Sequence, residues 1–154
     1  MVCLLQMRCL YSTEIKEQEY WKENGGKFME LKELVSEEAS PALGPYCHGR
    51  KYGNMIITSG QIPLTKDGEY VYEVKAATTL VLNNLLSIVK AGGGCKESVA
   101  RVDVFINSLD DFAAINEAYA EFFGGHKPAR VCVQVEALPS DVPLEASMIA
   151  FADD

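Results

Sequence analysis

Two stretches of helical periodicity, set among shorter alternating stretches, most constrain how this chain can fold. From about Glu73 to Ala91 apolar residues recur at helical spacing, and the glycines at 92–94 then end the pattern. A second apolar stripe runs from Phe112 to Phe122 and ends before Gly124. We therefore expect two amphipathic helices, with the aromatic residues of the second helix in the core. The three glycines follow a helix, so they do not indicate a phosphate-binding loop.

The remaining apolar stretches alternate with a period of two, which is typical of β-strands. Three of them precede the first helix, one lies between the helices and two follow the second helix. The predicted order is βββαβαββ, an α/β domain with a six-stranded mixed sheet. Two helices cover only one face of such a sheet, so the other face, rich in Val, Ile and Ala, needs a partner surface and predicts an oligomer. The expected strands are residues 29–35, about 46–52, 55–62, 98–109, 128–139 and 143–151.

Length and charge limit the class of protein. With 154 residues, 48% of them hydrophobic and 23% charged, the chain suits one globular domain. Lys and Arg number 14 against 22 Asp and Glu, a formal net charge of −8. Nucleic-acid affinity comes largely from clustered cations, so we expect no nucleic-acid partner.

Residues 1–28 differ from the rest and are expected to form an N-terminal extension, helical around residues 13–23, ahead of a domain at 29–154. Gln6 and Arg8 interrupt its apolar start, so neither a signal peptide nor a membrane span is predicted. Acidic residues argue against a mitochondrial presequence. The expected location is the cytoplasm, with the mitochondrion as the alternative.

The cysteines and histidines do not form metal-binding motifs. An odd number of cysteines without close CxxC pairing predicts reduced thiols rather than a zinc site or a redox motif. His48 and His126 lie in turn-rich stretches and are expected to be surface or interface residues. We expect no metal and no cofactor. The five cysteines are Cys3, Cys9, Cys47, Cys95 and Cys132.

The segment "PARVCVQVEALP", residues 128–139, places a cation in a strand. Alternation puts Ala129 and Val131 on one face and Arg130 and Cys132 on the other. An arginine beside a small residue of the kind usually buried more often binds a planar anion than serves solubility. Arg130 is therefore the first candidate for a ligand-binding residue.

Several separated blocks carry a resemblance to a known family. The stretches "ASPALGPY", "GNMIITSGQIPL", "DFAAINEAYAEFF" and "PARVCVQVEALPSDVPLEASMIA" occur in the order and spacing of the RidA/YjgF reactive-intermediate deaminases, from about Val35 to Ala152. The resemblance implies a chorismate-mutase-like fold and a homotrimer with three clefts between subunits. It also implies hydrolysis of enamine and imine intermediates, such as 2-aminoacrylate and 2-iminobutanoate, to 2-oxo acids and ammonia.

The same resemblance implies roles for individual residues. Arg130 corresponds to the carboxylate-binding arginine and Glu145 to the glutamate of the last strand, which we expect to hold the attacking water. Two departures, Ser147 in place of a frequent second acid and Cys47-His48 after the tyrosine, bear on substrate preference. The remaining residues expected to line the substrate site are Tyr46, Ser59, Gly60, Asn116 and Cys132.

Structural alternatives exist for each of these residues. Arg130 and Glu145 can also form an ion pair buried between subunits, and Cys132 can be a small apolar core residue. Tyr46 can pack in an interface with its hydroxyl satisfied, and a serine such as Ser59 can serve a turn. Asn116 can likewise be a cap residue.

Two further functions remain open from the sequence alone. Older descriptions of the family as endoribonucleases or translation inhibitors predict salt-sensitive RNA binding, which the acidic composition disfavours. A non-catalytic sensor or holdase would use the same cleft and bind ligand without turnover.

Overall fold

A computed structural model of the chain describes residues 30–152. The predicted N-terminal extension and its helix lie outside the described residues. Within them the order of elements is βββαβαββ, as the sequence predicts, with short 3-10 turns at Leu109–Asp111 and Pro139–Asp141. The strands and helices are β1 (Leu31–Leu34), β2 (Gly49–Tyr52), β3 (Met55–Thr58), α1 (Val74–Ala91), β4 (Val99–Ile106), α2 (Phe112–Phe123), β5 (Ala129–Gln134) and β6 (Leu144–Phe151).

The six strands form one mixed sheet in the order β1-β2-β3-β6-β4-β5. Every neighbouring pair is antiparallel except β4 and β5, which run parallel because α2 connects them. The last strand, β6, therefore lies in the middle of the sheet, and β5 lies at one edge. This order places the arginine candidate at the edge of the sheet and the glutamate candidate near its centre.

All six strands are shorter than predicted, and the second, third and fifth each lose about half of the expected length. The second strand begins at Gly49 rather than near residue 46, because Cys47 and His48 accept hydrogen bonds from Ser59 instead of joining a regular ladder. The third strand ends at Thr58. The fifth ends at Gln134, since the turn at 139–141 takes the chain away from the sheet. Alternation alone does not reveal where pairing stops.

Both helices pack on one face of the sheet, as predicted. α1 begins at Glu73, whose carboxylate accepts hydrogen bonds from the backbone N–H groups of Lys75 and Ala76. Lys51 closes the other end by donating to the Gly92 carbonyl at 2.8 Å. The core beneath the helices is aliphatic; Ile56 of the sheet and Leu85 of α1 are both fully buried in it.

The opposite face of the sheet, called here the open face, carries apolar side chains that no described residue covers. Side chains from four strands project there, each between 36% and 44% exposed: Ile57, Phe105, Val131, Val133 and Phe151. An apolar sheet face of this kind marks an interaction surface. None of the helices in the described part of the chain is long and apolar enough to cross a membrane.

Candidate functional site

Arg130 lies beside a cavity between α2 and the start of β5, called here the arginine cavity. The cavity has a volume of about 300 Å³. Asn116, one of the predicted site residues, reaches it from α2. The structure therefore brings these two predicted residues together. The lining residues are Asn116, Tyr119, Ala120, Phe123, Gly124, His126, Lys127, Pro128 and Arg130.

The guanidinium of Arg130 lies near aromatic rings and has no ion-pair partner among the described residues. Its Cζ atom lies 4.7 Å from the ring centroid of Tyr119 and 6.0 Å from that of Phe112. Among residues 30–152 the ion pairs join other cations, namely Arg50, Lys75 and Arg101, to carboxylates. A cation held against rings without an anionic partner keeps its N–H donors available to a ligand.

Cys132 follows two residues later on the same side of β5, but it packs against the core rather than lining the cavity. Burial raises the pKa of its thiol, and the nearby Arg130 offsets this only in part. The thiol is therefore protonated at neutral pH and is a poor nucleophile. Its predicted contact with substrate remains a prediction.

Glu145 lies in a second depression, on the open face of the sheet, called here the glutamate cavity. Its volume is about 370 Å³. Four predicted site residues converge there, since Tyr46, Ser59 and Gly60 all lie beside Glu145. Two loops complete the wall, one around residue 43 and one at the 3-10 turn that begins with Pro139. The lining residues are Leu43, Tyr46, Ser59, Gly60, Ile62, Pro139 and Glu145.

The carboxyl group of Glu145 is packed directly against the backbone of Gly60. A Cβ atom at position 60 would overlap the Glu145 Oε1 atom, so only glycine leaves room for the carboxylate. Burial raises the pKa of the Glu145 carboxyl above its ordinary value. A carboxyl group with a raised pKa is a stronger base than an exposed one, which suits it to accept a proton from water.

The polar groups around Glu145 are held by local hydrogen bonds. Ser59 donates from its Oγ to the carbonyl of Cys47 at 2.6 Å, which fixes the loop and leaves the hydroxyl oxygen as an acceptor. The Tyr46 hydroxyl accepts from the backbone N–H of Leu43 at 3.1 Å. Both residues thus have a structural role as well as a position on the cavity wall.

The two histidines, expected to be surface or interface residues, both make hydrogen-bond contacts with the backbone. His48 is buried, and its Nδ1 accepts a hydrogen bond from the backbone N–H of Ser36. His126 is partly buried, and its Nε2 lies 2.7 Å from the carbonyl oxygen of Val99. A surface position is therefore wrong for His48, while the position of either residue in an interface stays a prediction.

Arg130 and Glu145 lie on opposite faces of the sheet within one chain. Glu145 is paired with Phe105, which projects from the open face. Arg130 is paired with Val102, which is fully buried under the helices. Residues directly opposite each other in a sheet project from the same face. A single chain therefore does not present its cation and its carboxylate to one small ligand.

The comparison with known proteins shows the family to which the chain belongs. The family model for Endoribonuclease L-PSP matches residues 36–152. The chain belongs to this family, the RidA/YjgF proteins. The resemblance inferred from the quoted blocks is thereby confirmed.

Three known proteins are similar to this chain over most of their length. The 2-iminobutanoate/2-iminopropanoate deaminase of Escherichia coli K12 is 44% identical over 123 residues, which cover 77% of this chain and 96% of that one. The crystal structure of Escherichia coli TdcF with bound serine has a TM-score of 0.76 and 42% identity, covering 79% of this chain and 99% of that one. A RutC family protein of Pyrococcus horikoshii is 42% identical over 126 residues, which cover 80% of this chain and 100% of that one.

The apolar stripe predicts that the aromatic residues of α2 lie in the core, and this is wrong for Phe112, which is 39% exposed. Tyr119 packs against the core, as predicted, and also lines the arginine cavity. Their spacing of seven residues places them on one side of α2, a pattern that a core stripe shares. Only the position of β5 beside the helix shows that this side also faces a cation.

Proposed function

We propose that the chain hydrolyses reactive 2-enamino and 2-imino acids, such as 2-aminoacrylate and 2-iminobutanoate, to 2-oxo acids and ammonia. The observation that carries the proposal is the guanidinium of Arg130, which has no ion-pair partner among residues 30–152 and lies at a cavity of small-ligand size. The deaminase named among the relatives acts on the same class of compound. No other group in that cavity matches a carboxylate as well as a planar guanidinium does.

Arg130 binds the carboxylate of the substrate in this proposal. Two parallel N–H donors of the guanidinium meet the two carboxylate oxygens, which fixes the plane of the imino acid as well as its charge. Asn116, on the same cavity wall, is placed to contact the bound acid. The electrophilic C2 atom then has a defined direction from which water attacks.

Glu145 positions and partly deprotonates the attacking water. The water oxygen bonds to C2 while the C=N π electrons move to the nitrogen, and one water proton passes through the Glu145 carboxylate to that nitrogen. The remaining hydroxyl proton follows the same route as the C–N bond breaks, so that ammonia leaves and the C2 carbonyl forms. An enamine first takes a proton from solvent water at C3 and becomes the iminium form, which then loses a proton from nitrogen to give the imine. General base assistance of this kind contributes about 10²–10⁴-fold in rate. All of these steps use side chains of the protein and water.

The reaction requires two copies of the chain, because Arg130 and Glu145 face opposite sides of one sheet. We propose that the β5 edge of one copy packs on the open face of the next, so that each site takes its arginine from one copy and its glutamate from another. A contact between different surfaces closes into a ring, and a ring of three is the assembly that the family resemblance implies. The uncovered apolar side chains of the open face support this arrangement.

A competition assay tests the proposal. A threonine dehydratase releases 2-iminobutanoate in the presence of semicarbazide, and formation of the semicarbazone is followed as this protein is added. We expect the native protein to lower trapping in proportion to its concentration. Arg130→Ala should reduce this effect about 10²-fold or more, because the substrate carboxylate loses its charged partner.

Arg130→Lys is the matched control for that assay. It retains the charge but not the paired donors, so its activity should lie between those of the native protein and the alanine variant. Equal trapping with the native protein and Arg130→Ala would contradict the proposal. Binding of 2-oxobutanoate without any effect on trapping would instead indicate the sensor function.

A further inference from the structure

Tyr119 lines the arginine cavity beside Arg130. Its ring centroid lies 4.7 Å from the Cζ atom of Arg130, well within the distance at which a cation and an aromatic face attract. Phe112, two turns earlier on α2, has its ring centroid 6.0 Å from the same atom. Two rings of one helix thus approach one guanidinium.

These rings are the neighbours that orient the guanidinium. Within the part of the chain that the structure describes, no carboxylate pairs with Arg130, whereas Arg101 is held by Asp103 at 2.8 Å. An arginine side chain loses considerable rotamer freedom when it is fixed, so an unsupported one would pay that cost when substrate binds. When aromatic rings hold the side chain, this loss of rotamer freedom already occurs during folding, and the N–H donors stay available to the substrate.

The ring of Tyr119 packs against a neighbouring ring, whereas its hydroxyl makes no hydrogen bond among the described residues. The ring packs against that of Phe123 with a centroid separation of 4.7 Å. The hydroxyl oxygen is buried and has no hydrogen-bond partner among the described residues. Burial raises the pKa of Tyr119 to about 12, so the phenol stays neutral and adds no charge near the cation. Tyr119 therefore approaches Arg130 with its ring.

We propose that Tyr119 is a positioning residue for the substrate carboxylate: its ring, assisted by that of Phe112, holds the Arg130 guanidinium in the orientation that binds the acid. The inference rests on the proposed function of Arg130 as the carboxylate-binding group. It adds that affinity depends on an aromatic side chain at position 119 and not on the tyrosine hydroxyl.

The test compares three variants of α2 in the full-length protein. Tyr119→Leu removes the ring, Tyr119→Phe restores it without the hydroxyl, and Phe122→Leu removes a ring that faces Lys96 at 5.9 Å instead of Arg130. The dissociation constant of 2-oxobutanoate is measured by NMR titration, and the apparent KM and kcat are measured with imine generated in situ.

We expect Tyr119→Leu to raise the dissociation constant and the apparent KM by about 5- to 30-fold, the range that a desolvated cation–π contact implies. The value of kcat should change far less, because carboxylate binding is common to the ground state and the transition state. Tyr119→Phe should restore affinity to within about twofold of the native value. Phe122→Leu should do the same because its ring faces a different cation.

A spectroscopic measurement covers the case in which Tyr119→Leu does not fold. The Nε–Hε resonance of Arg130, assigned by its loss in Arg130→Lys, should be displaced by the ring current in the native protein and in Tyr119→Phe. Phe112→Leu, at an exposed position, should move this resonance and weaken binding about two- to fivefold.

Two results would overturn the inference while leaving the proposed function intact. In the first, Arg130→Ala abolishes activity but Tyr119→Leu binds 2-oxobutanoate as the native protein does. In the second, Tyr119→Phe is as defective as Tyr119→Leu, which would assign the role to the hydroxyl. Full activity of Arg130→Ala would instead overturn the proposed function, on which the inference depends.

Discussion

The arginine cavity and the glutamate cavity are of similar size but differently built. The first, about 300 Å³, lies between a helix and an edge strand and presents a cation supported by aromatic rings. The second, about 370 Å³, lies on the open face among loops and presents a partly buried carboxyl group. In our proposal the first cavity binds the substrate carboxylate and the second activates the attacking water.

This difference concerns the neighbours of the two charged groups within one chain. There the Arg130 guanidinium lies against aromatic rings and the Glu145 carboxyl lies against the backbone of Gly60. In our proposal the two groups come within reach of one ligand only when two copies of the chain assemble. Substitutions in the two cavities should therefore have different effects on rate and on affinity.

Glu145→Gln should have the largest effect, since it removes the base and leaves the arginine cavity untouched. We expect hydrolysis to fall about 10²- to 10⁴-fold while the affinity for 2-oxobutanoate changes little. Activity is measured by semicarbazide competition and affinity by NMR titration. Comparable losses in affinity and rate would show that the two cavities do not divide the chemistry in this way.

The raised pKa of Glu145 also predicts how the stability of the protein depends on pH. The folded-state pKa of Glu145 is raised by burial, so the folded chain holds this proton more tightly than the unfolded chain. The resulting stability is present at acid pH and is lost as pH rises through the folded pKa. Glu145→Gln should therefore melt at a higher temperature than the native protein at neutral pH, and this difference should shrink toward pH 4. The acid limb of the native rate profile should disappear in the variant.

Mixed oligomers should show the next largest effect. Arg130→Ala and Glu145→Gln chains, each inactive alone, are expected to recover activity when co-expressed, because some sites then combine an intact arginine with an intact glutamate. Random mixing in equal amounts restores about a quarter of the sites in a ring. The measurement is activity of the purified mixture against that of each variant alone.

A matched control for the mixture is the double variant Arg130→Ala/Glu145→Gln co-expressed with Glu145→Gln. No site in that mixture has an intact glutamate, so no recovery is expected. Failure of the first mixture to recover, with oligomers shown to contain both chains, would contradict a site shared between copies.

Gly60→Ala should have a smaller effect, confined to the glutamate cavity. The added methyl group overlaps the Glu145 carboxylate, so the side chain must move from its position. We expect about a tenfold or greater loss of rate, since a misplaced base loses part of its assistance. Affinity for 2-oxobutanoate should be retained. The matched control is Gly125→Ala, because open space surrounds that glycine. Gly68→Ala is unsuitable, because a φ of 87° at Gly68 strains any residue other than glycine.

The sequence predicted the fold well because periodicity and order together limit the arrangement. The two helices at 74–91 and 112–123 begin and end where the apolar stripes and glycines indicate. Strand ends were less predictable: the third strand was expected to run to residue 62, but it ends at Thr58, and pairing resumes as an isolated bridge between Gln61 and Ala146. Local pattern shows which face of a strand is apolar and not where pairing stops.

The candidate site was only partly predictable. The resemblance identified Arg130 and Glu145, but alternation within separate strands does not show that they project from opposite faces, because that depends on the register of β5, β4 and β6. Tyr119 looked like any other residue of an apolar helical stripe. Its part in the site depends on a tertiary contact with a strand 11 residues later, which no local pattern encodes.

The sheet that separates Arg130 from Glu145 also has a consequence for the newly made chain. Folding of one copy completes both cavities but brings no reactive pair together, so an isolated copy in our proposal is inert. The rate of hydrolysis then depends on the fraction of chains that are assembled. Specific activity should decline when the protein is diluted below the dissociation constant of the assembly. Protein concentration, rather than a separate regulator, would set the threshold at which this chemistry begins.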